Sequence, residues 1–103
     1  MNKLEIVKAL LSDDATASSP WQIGKVYLIR TVTFIQTGRL VAVTDHELVL
    51  EDAAWIADTG RFSDALKSAE FGEVEPFPDG IVIVGRGGLI DAVQIGKAPR
   101  SQK

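Results

Sequence analysis

A chain of 103 residues, 46% hydrophobic and 24% charged, has the length and composition of one folded domain, which excludes wholesale disorder. The formal net charge of −3 is wrong for a generic polyphosphate binder, which needs clustered Lys and Arg, and zero Cys excludes a disulfide framework or a thiolate zinc site. No apolar run approaches the roughly eighteen residues of a membrane span, and the start Met1-Asn2-Lys3-Leu4-Glu5-Ile6 lacks a signal peptide's pattern, so a cytoplasmic home is expected.

Residues 2–12 read as a short helix. Asn2 can cap it, Glu5 can reach back to the cap, and Leu4, Ile6, Val7, Leu10 and Leu11 form an apolar stripe at helical spacing. A polar connector follows from Asp13 to Pro20. From Ile23 the pattern turns to β, with Val26 and Leu28 alternating with Tyr27 in a stretch rich in β-branched and aromatic residues. A reversal is expected between Arg30 and Phe34, then a second strand over Ile35–Val43. A half-buried third strand carries Leu48 and Leu50 and runs on through Ala53 to Ile56.

Residues 57–79 read as an insertion. Asp58-Thr59-Gly60 is a turn signal, Ser63 is a candidate cap for a helical stretch through Lys67, and an acidic, proline-bearing segment leads back to β structure. The last strands are Ile81–Val84 and Leu89–Ile95. The first of these is apolar at every position, as in a strand covered on both faces. The domain therefore spans 1–96, and the basic tail 97–103, with Lys97, Arg100 and Lys103, is expected to be flexible.

The expected fold is mainly β: a small, strongly bent five-stranded barrel with an N-terminal helix and a long, partly helical insertion between strands 3 and 4. Gly38 sits where the bend would fall. A partly open barrel leaves two edge strands, and pairing the fourth strand of one copy with the fifth of the next closes a ring. The alternative is a monomeric barrel whose N-terminal helix caps the apolar face.

Gly38, Leu40 and Val43, followed by Leu48-Val49-Leu50, resemble the first motif of the Sm-like family. Ile83-x-x-Arg86-Gly87-x-x-Ile90-x-x-Val93 resembles the second, whose core is an Arg-Gly pair between two strands. The bulky insertion and the Arg86-containing turn also resemble small Sm-like proteins of bacteriophages. The resemblance implies a cyclic homo-oligomer of about five to seven subunits, with an RNA-binding rim where two turns converge. His46 would stack on a base and Arg86 would support it, with Asp45 and Gly87 beside them. Two departures stand out. The family's Asp two residues before the stacking position is Thr44 here, with Asp45 shifted by one. The Asn that reads uracil has no counterpart, Glu47 standing nearby. Both weigh against uridine specificity and leave general base stacking open.

Each residue has a plainer reading. His46 can be a solvated turn residue, and Arg86 can pair with an acidic neighbour across a subunit contact. Trp21, Trp55, Phe62, Phe71 and Phe77 fit core or interface packing better than a base-stacking platform. One His and no Cys leave no nucleophile–base arrangement, and the fourteen carboxylates are scattered, so no catalytic site, metal site or cofactor is expected. The partners expected are further copies of the chain and RNA or single-stranded nucleic acid. The alternative is an oligomeric scaffold or adaptor, phage-related, that binds a protein through the insertion.

Overall fold

The computed structural model describes residues 19–78 and 80–103. The expected helix over 2–12 and most of the connector lie outside the described residues.

The described chain folds as a bent antiparallel sheet of six strands with one short helix: β1 (Val26–Thr31), β2 (Ile35–Val43), β3 (Glu47–Asp58), α1 (Phe62–Ser68), β4 (Glu73–Pro76), β5 (Val82–Gly85) and β6 (Leu89–Gln94). The strand order is β4-β3-β2-β1-β6, and β5 also pairs with β3. Six strands replace the expected five because part of the anticipated insertion belongs to the sheet. β4 pairs with the C-terminal half of β3 (Ala54↔Pro76 to Asp58↔Glu73), and β5 pairs with its N-terminal half (Leu50↔Val82 to Glu47↔Gly85). The two strands lie end to end along one edge of β3, as halves of one interrupted strand.

The interruption has a local cause. Between Thr37↔Ala54 and Arg39↔Glu51, β3 carries one residue more than β2, and Asp52 takes up the excess in the left-handed region at φ 52°. A second shift, between Leu40↔Leu50 and Ala42↔Val49, puts the extra residue on β2. Such bulges bend a strand and increase its twist, so the β2–β3 pair curls. Gly38 lies at the inside of the curl. A Cβ there would stand 2.9 Å from Leu50 Cβ and 3.1 Å from Leu50 Cδ1, so only a residue without a side chain lets the strands approach this closely.

The bend creates two core clusters. Val26, Leu28, Ala54, Ile56, Phe71, Val74 and Ile95 pack with Ala65 of α1 and Ala69 just after it. Tyr27, Ile29, Leu40, Leu48, Leu50, Ala53 and Val84 form the other. β1 sends alternate side chains into each, so Val26, Tyr27, Leu28 and Ile29 are all buried. The strand covered on both faces is thus β1. The all-apolar segment at Ile81–Val84, expected to be that strand, forms an edge with Ile81 and Ile83 exposed.

Two smaller expectations also change. α1 starts after Arg61, which sits at the cap without a side-chain cap bond, so Ser63 lies inside the helix. The helix ends where Ala69 turns left-handed at φ 54° and donates its N–H to Ala65 O. The tail expected to hang free is tied to the body. Arg100 donates to Ala53 O and Phe77 O, at 2.9 and 3.0 Å, and Lys103 pairs its backbone with Val74.

Arg30 holds β1 to β6 through Asp91, its Nε donating to Oδ1 at 2.8 Å with an ion pair alongside. The Arg30 hydrogen bonds hold the Asp91 carboxyl below its usual range. This exposed pair stabilises the folded chain above the ordinary carboxylate pKa, and the contribution is lost as pH falls through the lower folded value. Asp91→Asn is therefore expected to flatten the acid limb of a stability–pH curve measured by thermal unfolding. Gly38→Ala is expected to cost about 1–3 kcal/mol in denaturant unfolding, because Leu50 must shift to make room.

Candidate nucleic-acid interface

The turn between β2 and β3, Thr44-Asp45-His46, is organised by a residue that sequence reading noted only as a departure. Thr44 Oγ1 accepts the N–H of Glu47 at 3.0 Å and of His46 at 3.3 Å, while Thr44 N–H donates to Glu47 O at 2.9 Å. A hydroxyl thus does what a carboxylate can do at the same place, accepting backbone donors at a tight turn. Its legible signal was a Thr at the first position of a short polar break between two strands. Asp45 and His46 project from this turn and are exposed.

The other turn, Arg86–Gly88, is a single 3-10 turn between β5 and β6, closed by Leu89 N–H donating to Arg86 O. Pairing of β5 with the start of β3 brings it against the first turn. Arg86 N–H donates to His46 O at 2.8 Å, and Arg86 Nη1 donates to Thr44 O at 2.6 Å. The far end of the same turn is anchored by Val32 N–H on Gly88 O at 2.9 Å. Residues forty positions apart in sequence are fused into one rim, and Arg86 is its clamp. Among the described residues Arg86 meets no carboxylate, and its pairing with an acidic neighbour across a subunit contact lies outside a single chain. The Thr44 carbonyl is the one hydrogen-bond acceptor its guanidinium meets among the described residues, leaving its other donors for an outside group.

Gly87 and Gly88 have no positive φ, and a Cβ on either would meet nothing within 4 Å. The chain's own packing therefore does not require glycine there. The bare backbone there is open to close approach from outside.

The four site residues expected from sequence thus fall together: Asp45 and His46 on one turn, Arg86 and Gly87 on the other. The turn facing Arg86 carries the exposed Asp45 and Glu47 on either side of His46, so the rim holds two carboxylates to one arginine and does not present a basic surface. Tail cations do not change this. Arg100 is committed to backbone carbonyls beside Asp52, while Lys97 and Lys103 are exposed.

The aromatic residues separate. Phe71 is buried, and Trp21 packs edge-on against Tyr27 at 5.2 Å. Trp55, Phe62 and Phe77 are each about two-fifths exposed. Phe34, passed over at the sequence level, joins Trp55 edge-on at 6.2 Å, and Arg30 lies over the Phe62 ring at 5.2 Å. Phe34, Trp55, Phe62 and Arg30 form a partly apolar face around the β1–β2 turn, which Val32 joins to the rim at Gly88, whereas Phe77 lies beside Arg100.

No family model matches the sequence, and no curated protein matches it. Among solved structures, the fold is similar to the crystal structure of a heptameric archaeal Sm protein, discussed in connection with the eukaryotic snRNP core. The likeness has a TM-score of 0.56 at 24% identity, covering 80% of this chain and 98% of that one. The chain has an Sm-like fold. The likeness is archaeal, and nothing in it bears on the expected resemblance to bacteriophage proteins.

Two substitutions test the rim's construction. Thr44→Ala is expected to leave the Glu47 amide exchanging several-fold faster, consistent with about 1 kcal/mol for the lost bond. Thr44→Asp, which restores an acceptor, is expected to keep it protected.

Proposed function

We propose that the chain forms a cyclic homo-oligomer and binds RNA or single-stranded nucleic acid at the rim formed by Thr44–His46 and Arg86–Gly88. The observation that carries this reading is the fusion of the two turns through Arg86, which leaves His46 exposed beside unused guanidinium donors and bare Gly87 backbone. In this reading His46 stacks on a base, Arg86 donates to a base edge or phosphate, and Gly87 admits the ligand closely. Asp45 and Glu47 repel a phosphate chain, so contact falls mainly on bases. One weak site per subunit becomes useful when copies surround an axis and raise the effective concentration.

Ring formation is supported by the edges. Among the described residues β5 and β6 each lack a partner on one side, and Ile81, Ile83, Ile90 and Val93 are exposed along them. Antiparallel pairing of β5 from one copy with β6 of the next would cover these side chains. The heptameric state of the archaeal neighbour supports a closed ring without fixing its order here.

The exposed Phe34, Trp55, Phe62 and Phe77 support a second reading, a ring-shaped scaffold that binds a protein partner. Ala65, Phe71 and Val74 of the 61–77 segment are core residues, so point substitutions at exposed aromatics probe this surface without removing the core. Phe34→Ser with Phe62→Ser is expected to abolish capture of such a partner while leaving oligomer mass and oligonucleotide binding unchanged.

Fluorescence anisotropy with short oligo-U and oligo-A at low salt is expected to show micromolar or tighter binding. Arg86→Ala should weaken it by about tenfold or more and His46→Ala by about fivefold or more, with a shallow salt dependence. Gly87→Ala should reduce binding without lowering the unfolding temperature. Flat titrations with both oligonucleotides would reject nucleic-acid binding, and a monomeric mass by native mass spectrometry would reject the ring.

A further inference from the structure

Beyond β6 the chain crosses the molecule. Ile95 N–H donates to Val26 O at 2.9 Å, Ile95 is buried in the first core cluster, and Ala98 packs against it. The segment then reaches the opposite edge of the sheet. There Val74 and Lys103 exchange both backbone hydrogen bonds, Val74 N–H to Lys103 O at 2.9 Å and Lys103 N–H to Val74 O at 3.0 Å. Reciprocal bonding of this kind is the hydrogen-bonded pair of an antiparallel ladder. It lies on the side of β4 away from β3, since Val74 faces Ile56 in the β3–β4 register without using those groups on it.

Arg100 anchors the same segment at a weak point. Its guanidinium donates to Ala53 O and Phe77 O, and its Nε lies 4.0 Å from Asp52 Oδ1. This is the place where β4 gives way to β5 opposite the Asp52 bulge. An arginine fork can serve two carbonyls at once, so it secures backbone where the ladder is irregular. Arg39, with Nη1 2.6 Å from Asp52 Oδ2, fixes the carboxylate that faces Arg100.

We propose that Arg100–Lys103 is an intramolecular edge guard, which covers the outer edge of β4 and confines pairing with another copy of this chain to the outer edge of β5. β4 and β5 lie along one side of β3, so without the tail both segments would offer free N–H and C=O groups. A partner strand could then dock on either, in more than one register. A ladder that slips in register leads to open-ended assembly, whereas one permitted edge segment fixes a single rotation between copies. Along the open segment Ile81 and Ile83 are more than half exposed. The statement about pairing between copies rests on the ring reading above, while the tail's contact with β4 does not.

The test uses the whole chain with Lys103→Pro, which removes the N–H that donates to Val74 O, alone and with Arg100→Ala. Lys103→Ala is the control that keeps the backbone donor. Hydrogen exchange at the Val74 amide and native mass spectrometry are read in parallel. Lys103→Pro is expected to speed Val74 exchange by about five- to tenfold, with Lys103→Ala like the parent. The double variant is expected to add species heavier than the parent's. Unchanged Val74 exchange in the double variant overturns the guard, and so does an unchanged mass distribution. A parent that is monomeric rejects the ring reading alone. If its double variant then shows faster exchange and new heavier species, the guard is supported.

Discussion

The hydrogen-bond ladder around β3 is the constraint from which the rest of this structure follows. β3 pairs with β2 along one side and with β4 and β5 in turn along the other. One extra residue at Asp52 prevents that ladder from running straight. The curl that results needs Gly38 on its inner side, splits the far edge into β4 and β5, and divides the core into two clusters that share β1. The strained backbone at Asp52 is also where charge collects. Arg39 and Arg100 both approach its carboxylate, and the hydrogen bond that Arg39 donates to Asp52 raises the Arg39 pKa above its ordinary value. Because these side chains are exposed, their attraction adds modestly to stability and mainly fixes geometry.

The same ladder builds the rim. β5 runs back along the start of β3, so the turn after β5 must arrive beside the turn before β3. Arg86 then bonds to Thr44 and His46 through both side chain and backbone. The outcome is a rigid pair of loops on a strand scaffold, which suits a small binding site. It carries one arginine, with Asp45 and Glu47 on the facing turn, so the binding proposed for it rests on stacking and a few directed hydrogen bonds and not on bulk charge attraction. Fold alone does not select that function, since the same architecture can serve unrelated tasks; the exposed aromatic face around Phe34 and Phe62 illustrates the point.

Long-range ties close the sheet where its own ladder stops. Val32 N–H on Gly88 O, Arg30 on Asp91, and the tail's return to β4 each join segments distant in sequence. A bent sheet with two free edges needs such ties, because its own hydrogen bonds leave those edges open. The described structure covers one edge segment with its own tail and leaves another bare. That asymmetry gives direction to any contact between copies.

Periodicity and turn chemistry were enough to locate the strands. Apolar alternation marked β1 and β3, the polar breaks at Thr44–Glu47 and Gly85–Gly88 marked the two turns, and Gly38 marked the bend. The grouping of Asp45, His46, Arg86 and Gly87 was legible through the order of two short motifs. What the sequence could not disclose depends on partners distant in the chain. Whether an apolar strand is central or at an edge is decided by what lies beside it, so Val26–Ile29 proved central and Ile81–Val84 peripheral. Glu73–Pro76, acidic and ending in proline, reads as a loop until the second half of β3 supplies a ladder for it. The basic tail looks free for the same reason, since its acceptors on Ala53, Phe77 and Val74 are backbone groups with no signature in the sequence. Local side-chain pattern therefore determined the elements and the candidate site, while the tertiary structure alone decided which backbone edges were satisfied and which remained open.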